Sequence, residues 1–418
     1  MSIEVDTKQA DPIESLKKLR TNAAQIFASK GFPTTKNEDY KYLNFGKALQ
    51  NSWTEAMANE DKDFQSPFDI DAYVLTFING FYKAEYSKVD GLPATVSLGT
   101  LEQVLSEVPT MAKKLGALAD ISDGFVANNS AHFNQGFGLK VRKGTVLEKP
   151  IYVLNYFTGN QSGFVQSRNL ISIEENAEAE VYSHSFGLKL TSESFFNVVT
   201  EIALGPNASF SYTQIQEGGK ALQTVDYVVC DLQTSSRFNH QSISLSGKLV
   251  RNNTQLLLNG KGAEGHMYGV FLPATDEVFD NHTLVDHRVA HCPSNELYKG
   301  VALGKGTGVF NGKIFVRQDA QKTNAFQSNK NLLLSDDAAI FTKPQLEIYA
   351  DDVKCSHGSS TGQLDEKALF YLQSRGIGME SAKRLLVTAF AEEILYQVKN
   401  NTVRAYLEEA IETKLAAY

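Results

Sequence analysis

The segment Asp351-Asp352-Val353-Lys354-Cys355-Ser356-His357-Gly358 sets a thiol and an imidazole at i and i+2. Residues two apart in an extended strand project from one face, so Cys355 and His357 could address one metal ion or one sulfur species. Lys354 beside them would favour the thiolate. Two ligands on one strand do not close a coordination sphere, which points to a site completed by another surface. On spacing alone, a buried cysteine and a hydrogen-bonded histidine remain the alternative. Asp351 and Asp352 are adjacent and would point to opposite faces, so they make no carboxylate dyad.

A second group runs from Asn281 through His282, Asp286, His287, Arg288, His291 and Cys292 to Pro293. His287 and His291 have metalloprotease spacing, but Arg288 stands where the catalytic glutamate is needed and Pro293 prevents a long helix. If the segment is extended, His287 and His291 share one face and Cys292 the other. Structural and ligand roles both stay open. The run Gly300-Val301-Ala302-Leu303-Gly304-Lys305-Gly306-Thr307 fails as a phosphate loop, because one residue too few separates the glycines and Gly306 interrupts the Lys-Thr pair. It reads as a turn, and the chain is not expected to hydrolyse ATP itself.

The three cysteines, Cys230, Cys292 and Cys355, are far apart and form no CxxC. That spacing argues against a disulfide framework and fits a reducing compartment. Any cluster here must borrow ligands from histidine, carboxylate or another chain. A net charge of −8 gives no reason to expect nucleic acid or an anionic membrane surface as partner. With no long apolar run and no basic-then-apolar leader in MSIEVDTKQADP, the expected location is the cytoplasm. At 418 residues and 42% hydrophobic, the chain can bury a core across two or three domains.

Three textures divide it. Residues 1–120 are partly helical: Asp11 is a candidate N-cap with Pro12 at N1, a helix runs to Gly31, and another is expected over about 101–118. Residues 121–355 are a long β block of short alternating runs, among them Ile151–Phe157, Val225–Cys230 and Gly308–Val316. Sandwich, barrel, propeller and solenoid all fit such a block. An offset of 31 residues pairs Ile171 with Ile202, Ile173 with Leu204, Asn176 with Asn207 and Val181 with Tyr212, which favours a solenoid. Residues 356–418 are helical, with a helix over Leu364–Arg375 ending at Gly376, a stripe from Ala382 to Val398 and a last helix through Val403 and Ile411.

The stretch from Thr342 to Ile377, TKPQLEIYADDVKCSHGSSTGQLDEKALFYLQSRGI, closely resembles the signature of the SufB/SufD family of iron–sulfur cluster assembly proteins. Glu296–Gly300, Gly308–Lys313 and Asn331–Ser335 are similar to the same family. So is Gly31–Tyr42, with Tyr40 where tryptophan is more usual. The length and the Val285–Cys292 stretch look more like the SufD branch than the SufB branch.

This resemblance implies a mainly β protein, with a right-handed parallel β-helix core flanked by N-terminal and C-terminal helical regions. It implies a non-catalytic scaffold subunit in a complex with a SufB-like paralogue and the ABC-type ATPase SufC, which would hydrolyse the ATP. A transient iron–sulfur cluster would form at an interface with SufB, with none held stably by the chain alone. His357 matches a histidine associated with that interface and Cys355 the cysteine beside it. Leu364, Phe370, Tyr371, Arg375 and Gly376 become candidates for the ATPase contact, and whether the isolated chain forms a homodimer stays open. Two other readings stand beside this one: a β-helix enzyme acting on polysaccharide, and a purely structural stabiliser of SufB without cluster contact.

Overall fold

The computed structural model describes residues 12–49, 64–159 and 163–418, and the expected N-cap Asp11 lies outside them. Helix α1 (Pro12–Lys30) stops at Gly31, whose φ of +66° suits a residue without Cβ. A short α2 (Gly46–Leu49) follows, then α3 (Leu101–Glu107) and α4 (Gly124–His132). The single helix expected over 101–118 is broken. A capping box between Thr100 and Gln103 starts α3, but Pro109 drives Val108 out of helical geometry and only a 3₁₀ turn, Pro109–Lys113, follows. Arg20 of α1 donates to the carbonyls of Ala131 (3.1 Å) and Phe133 (2.7 Å), tying α1 to the end of α4.

Among the described residues the strands form two sheets, of ten and nine strands. From Phe137 onward consecutive strands alternate between the sheets and pair in parallel with the strand two further on, which makes the β block a parallel β-solenoid. The offset seen in the sequence is one coil of it: Ile171 and Ile202, Ile173 and Leu204, and Val181 and Tyr212 are register partners. Asn176 and Asn207 turn the corner at φ of 55° and 56°, a conformation asparagine tolerates. Ser235, His291 and Lys322 turn later corners with positive φ, each donating its N–H to a carbonyl of the next coil. Strand Tyr73–Ile78 already belongs to this stack, and the final strand, Lys354–Gly362, reaches past residue 355.

Side chains alternate in and out along each strand. The inward row is apolar in the early coils, with Ile171, Ile202, Phe210, Val228 and Phe238 all buried. It turns polar in the later ones, where Glu296, Gln327, Asn329 and Asn331 are buried too. Three helices close the chain: α5 (Glu366–Ser374), α6 (Met379–Leu395) and α7 (Asn401–Ala416). The latter two bury Val387, Ala391, Ile394, Val403, Leu407 and Ile411 against Ile215, Ile243, Val270 and Val301 on the outer face of the ten-stranded sheet. No described helix is long and apolar enough to cross a membrane.

Candidate functional site

Strand Lys354–Gly362 lies at the edge of its sheet, paired only with Asn324–Leu333. Cys355, His357, Ser359 and Thr361 continue the inward row, in register with Ala325, Gln327, Asn329 and Asn331. Those four partners are buried, whereas His357, Ser359 and Thr361 are exposed, because the solenoid ends here. The i, i+2 pair therefore does share a face, and that face is the open end of the solenoid. Ser359 and Thr342 hydroxyls meet across it at 3.0 Å, and Asn331 donates up to Thr361 at 3.3 Å.

Cys355 is half-buried beside Ile314, Val316, Ala325, Leu346 and Val353. Burial pushes its thiol pKa up, only partly countered by the Ala325 backbone. The expectation that Lys354 favours the thiolate fails for a geometric reason. Lys354 is the neighbouring strand residue, so it points to the opposite face, and it is exposed to water. Among the described residues no three His, Cys, Asp or Glu side chains converge on a common metal position.

Beneath His357 the same column holds Gln327 and then Glu296. Gln327 donates its amide Nε2 to Glu296 Oε2 at 2.8 Å, and Thr283 donates its hydroxyl to the other carboxylate oxygen. Burial pushes Glu296 up to about 7. In the sequence Glu296 stands out only as part of Glu296–Gly300; coil-to-coil register places it two steps under the histidine.

The histidine group does not converge. His287 faces inward at the end of its strand, bonds Ser294 Oγ at 3.0 Å, and burial pushes it down to about 4. His291 sits at a left-handed corner with φ of 64°, which turns Cys292 inward as well; its thiol donates to Gly260 O at 3.3 Å. The expected pairing of His287 with His291 on one face is thus corrected by the corner between them. His282 faces outward, 3.1 Å from Asp280. Gly304, with φ of +56°, makes the glycine run a turn between strands. Asp351 and Asp352 lie in the last corner, where Asp352 pairs with Lys322.

A polar groove of about 760 Å³ separates the N-terminal segment from the outer face of the nine-stranded sheet. Its floor is Arg251, 2% exposed, which donates to Asp280 at 2.8 Å and to the Asp39 carbonyl at 2.6 Å, under the Tyr40 ring. Tyr40 in turn donates to Asp123 at 2.6 Å. Against the penalty of burial, Arg251 and His282 hold Asp280 below the usual carboxylate range.

At the other end, Asp365 caps α5 by accepting from Lys367 N, and Gly376 closes it at φ of +86° with Ile377 N donating to Leu372 O. Phe370 and Tyr371 are 72% and 57% exposed, with Arg375 stacked near the Tyr371 ring. Leu364 sits apart from them, half-buried against the cluster under α6 and α7.

Two family models match this chain, and together they span most of it. Residues 156–390 match the model of the SUF system FeS cluster assembly SufBD core domain, and residues 5–153 match the SufBD protein N-terminal region. The chain belongs to the SufBD family. It is 30% identical over 94% of its length to a SufBD family iron–sulfur cluster assembly protein from Synechocystis, covering 89% of that protein. It is 30% identical over 90% of its length to the iron–sulfur cluster assembly protein SufD of Escherichia coli, covering 87% of it. Protein ABCI7, chloroplastic, of Arabidopsis thaliana is 27% identical over 96% of the chain. The protein is thus an iron–sulfur cluster assembly protein similar to SufD.

Proposed function

We propose that this chain is the SufD-like subunit of a SUF scaffold, pairing with a SufB-like paralogue and a SufC-like ATPase in the cytoplasm to build and hand on nascent iron–sulfur clusters. The observation that carries this reading is the open solenoid end: Cys355, half-buried, and His357, exposed, stand on the inward row of the last strand, beside the place where the next coil would lie. The SufB-like chain covers this end and completes the ligand set that Cys355 and His357 begin. The cluster is cargo there, held by both chains and by neither alone.

The SufC-like partner docks on α5 through Phe370, Tyr371, Arg375 and Gly376, and hydrolyses ATP; this chain does no chemistry of its own. Only Gln363, Leu364 and Asp365 separate the last strand from α5. A pull on α5 during the ATPase cycle therefore reaches the strand of Cys355 and His357 through a short, taut link. Without its partner, the same exposed end pairs two copies of the chain.

The test is anaerobic iron and sulfide content of the chain alone and co-expressed with both partners. Iron and sulfide in the complex, lost on His357→Ala, is the expected result. Full cluster yield with His357→Ala leaves a structural stabiliser of SufB and overturns the site.

A further inference from the structure

Between the last two strands of the ten-stranded sheet, one inward pair is joined by a side-chain hydrogen bond and another holds an acceptor without a donor. In the outer column Asn331 donates to Thr361 at 3.3 Å. Two columns along, Gln327 donates to Glu296 at 2.8 Å, but Gln327 Oε1 is buried and accepts nothing. Its register partner above is His357. A buried amide oxygen without a donor is destabilising, and adjacent strands set register partners about 4.8 Å apart.

We infer that Gln327, held by Glu296, is the positioning residue for His357, its free amide oxygen accepting the Nδ1–H of the imidazole. Nδ1 is the ring nitrogen nearer the backbone and so within reach of the strand below. The bond to Glu296 sets the amide's orientation: Nε2 faces the carboxylate, and against the ionised carboxylate a flipped amide would set two acceptor oxygens against each other. With Nδ1 protonated, the lone pair of Nε2 faces out of the open end, as a ligating histidine fixed by a second hydrogen bond requires. Gln327 thus chooses the tautomer that Cys355 and an opposing surface need. The contact belongs to the isolated chain; only its consequence for the cluster rests on the function proposed above.

The experiment is long-range proton–nitrogen correlation NMR on the full chain with ¹⁵N-labelled histidine, the His357 signal assigned by its loss in His357→Ala. The expected wild-type spectrum is that of a predominantly Nδ1-protonated ring. Gln327→Met, of similar length and without an acceptor, should shift the tautomer ratio by about five-fold towards Nε2–H. Gln327→Glu, which keeps an acceptor oxygen while sharing one proton with Glu296, should restore it. Unfolding curves of both variants report whether each is folded. A wild-type ring that is mainly Nε2-protonated, or a ratio unmoved in folded Gln327→Met, overturns the inference. Cluster yield in the complex is read separately: a tautomer effect with undiminished yield in His357→Ala would sink the proposed site and leave the positioning contact standing.

Discussion

Lys299 is the lysine that pins α6 to the solenoid, and replacing it with methionine measures the pin. It stands on the outer face of its strand with its side chain 5% exposed, yet its ammonium meets Phe390 O at 2.7 Å and Glu393 at 2.6 Å. The Phe390 ring lies 4.5 Å from the same nitrogen. A hydrogen bond from a charged donor contributes about 1.5 to 3 kcal/mol, and an ion pair with a half-exposed glutamate less than about 1. These figures are already net of desolvating the ammonium. Methionine keeps the apolar stem, which recovers part of the loss, and leaves the Phe390 carbonyl its helical bond. The net loss comes to about 1 to 2 kcal/mol, or roughly five- to thirty-fold in local opening. Hydrogen exchange over 379–395 should show that loss of protection, while the inner strands stay unchanged. Glu393→Gln, which removes only the half-exposed ion pair, should cost below about 0.5 kcal/mol. If Lys299→Met leaves α6 protection within two-fold of wild type, the pin does not exist. If Glu393→Gln matches it, the ion pair and not the carbonyl holds the helix.

Asp226, buried on the inward face, is pushed up to about 7 by desolvation. A carboxyl whose pKa is raised on folding stabilises the fold least when ionised, so stability should fall as pH rises from about 4 to 7, by up to about 4 kcal/mol. Urea titrations of Asp226→Asn should lose that slope; an unchanged slope refutes the assignment. Cys355 should react with iodoacetamide more slowly at pH 7 than an unshifted thiol, its rate still climbing above pH 9, because burial raises its pKa. Lys354→Ala should change that rate less than two-fold, and a larger drop would restore the lysine's role. Phe370→Ala with Tyr371→Ala should leave unfolding within about 0.5 kcal/mol and weaken binding of a SufC-like ATPase at least ten-fold by calorimetry. Undiminished binding removes α5 from the contact.

The β block and its solenoid character were legible because one pair of coils has a clean 31-residue offset, and Ile171 over Ile202 is a true register pair. Later coils hid themselves. From Tyr212 through His240, Met267, Glu296 and Gln327 to His357, successive partners lie 28, 27, 29, 31 and 30 residues apart, so no fixed period finds them. Glu296 and Gln327 were invisible as partners of His357 for that reason, as was Arg251 as partner of Asp280. Cys355 and His357 were legible together because period two holds within any strand. The histidine group misled because a left-handed corner at a histidine has no signature: the earlier coils use glycine, asparagine or serine there, at Gly144, Asn176, Asn207, Ser235 and Gly262. The second N-terminal helix failed on a signal that was present, Pro109, and that amphipathic spacing outweighed.

The stack of coils also has a consequence for how the open end behaves. In a solenoid each coil is stabilised by the coil on either side, and stability is close to a sum of such nearest-neighbour terms. The strand of Cys355 and His357 has only one neighbour, so it is the coil with a term missing. Any surface that seats on it continues the fold as one more repeat, and the free energy of that seating is drawn from the same source as folding itself. Order at the site and occupancy of the end are then a single quantity: an uncovered end frays, and a covered one holds thiol and imidazole in register.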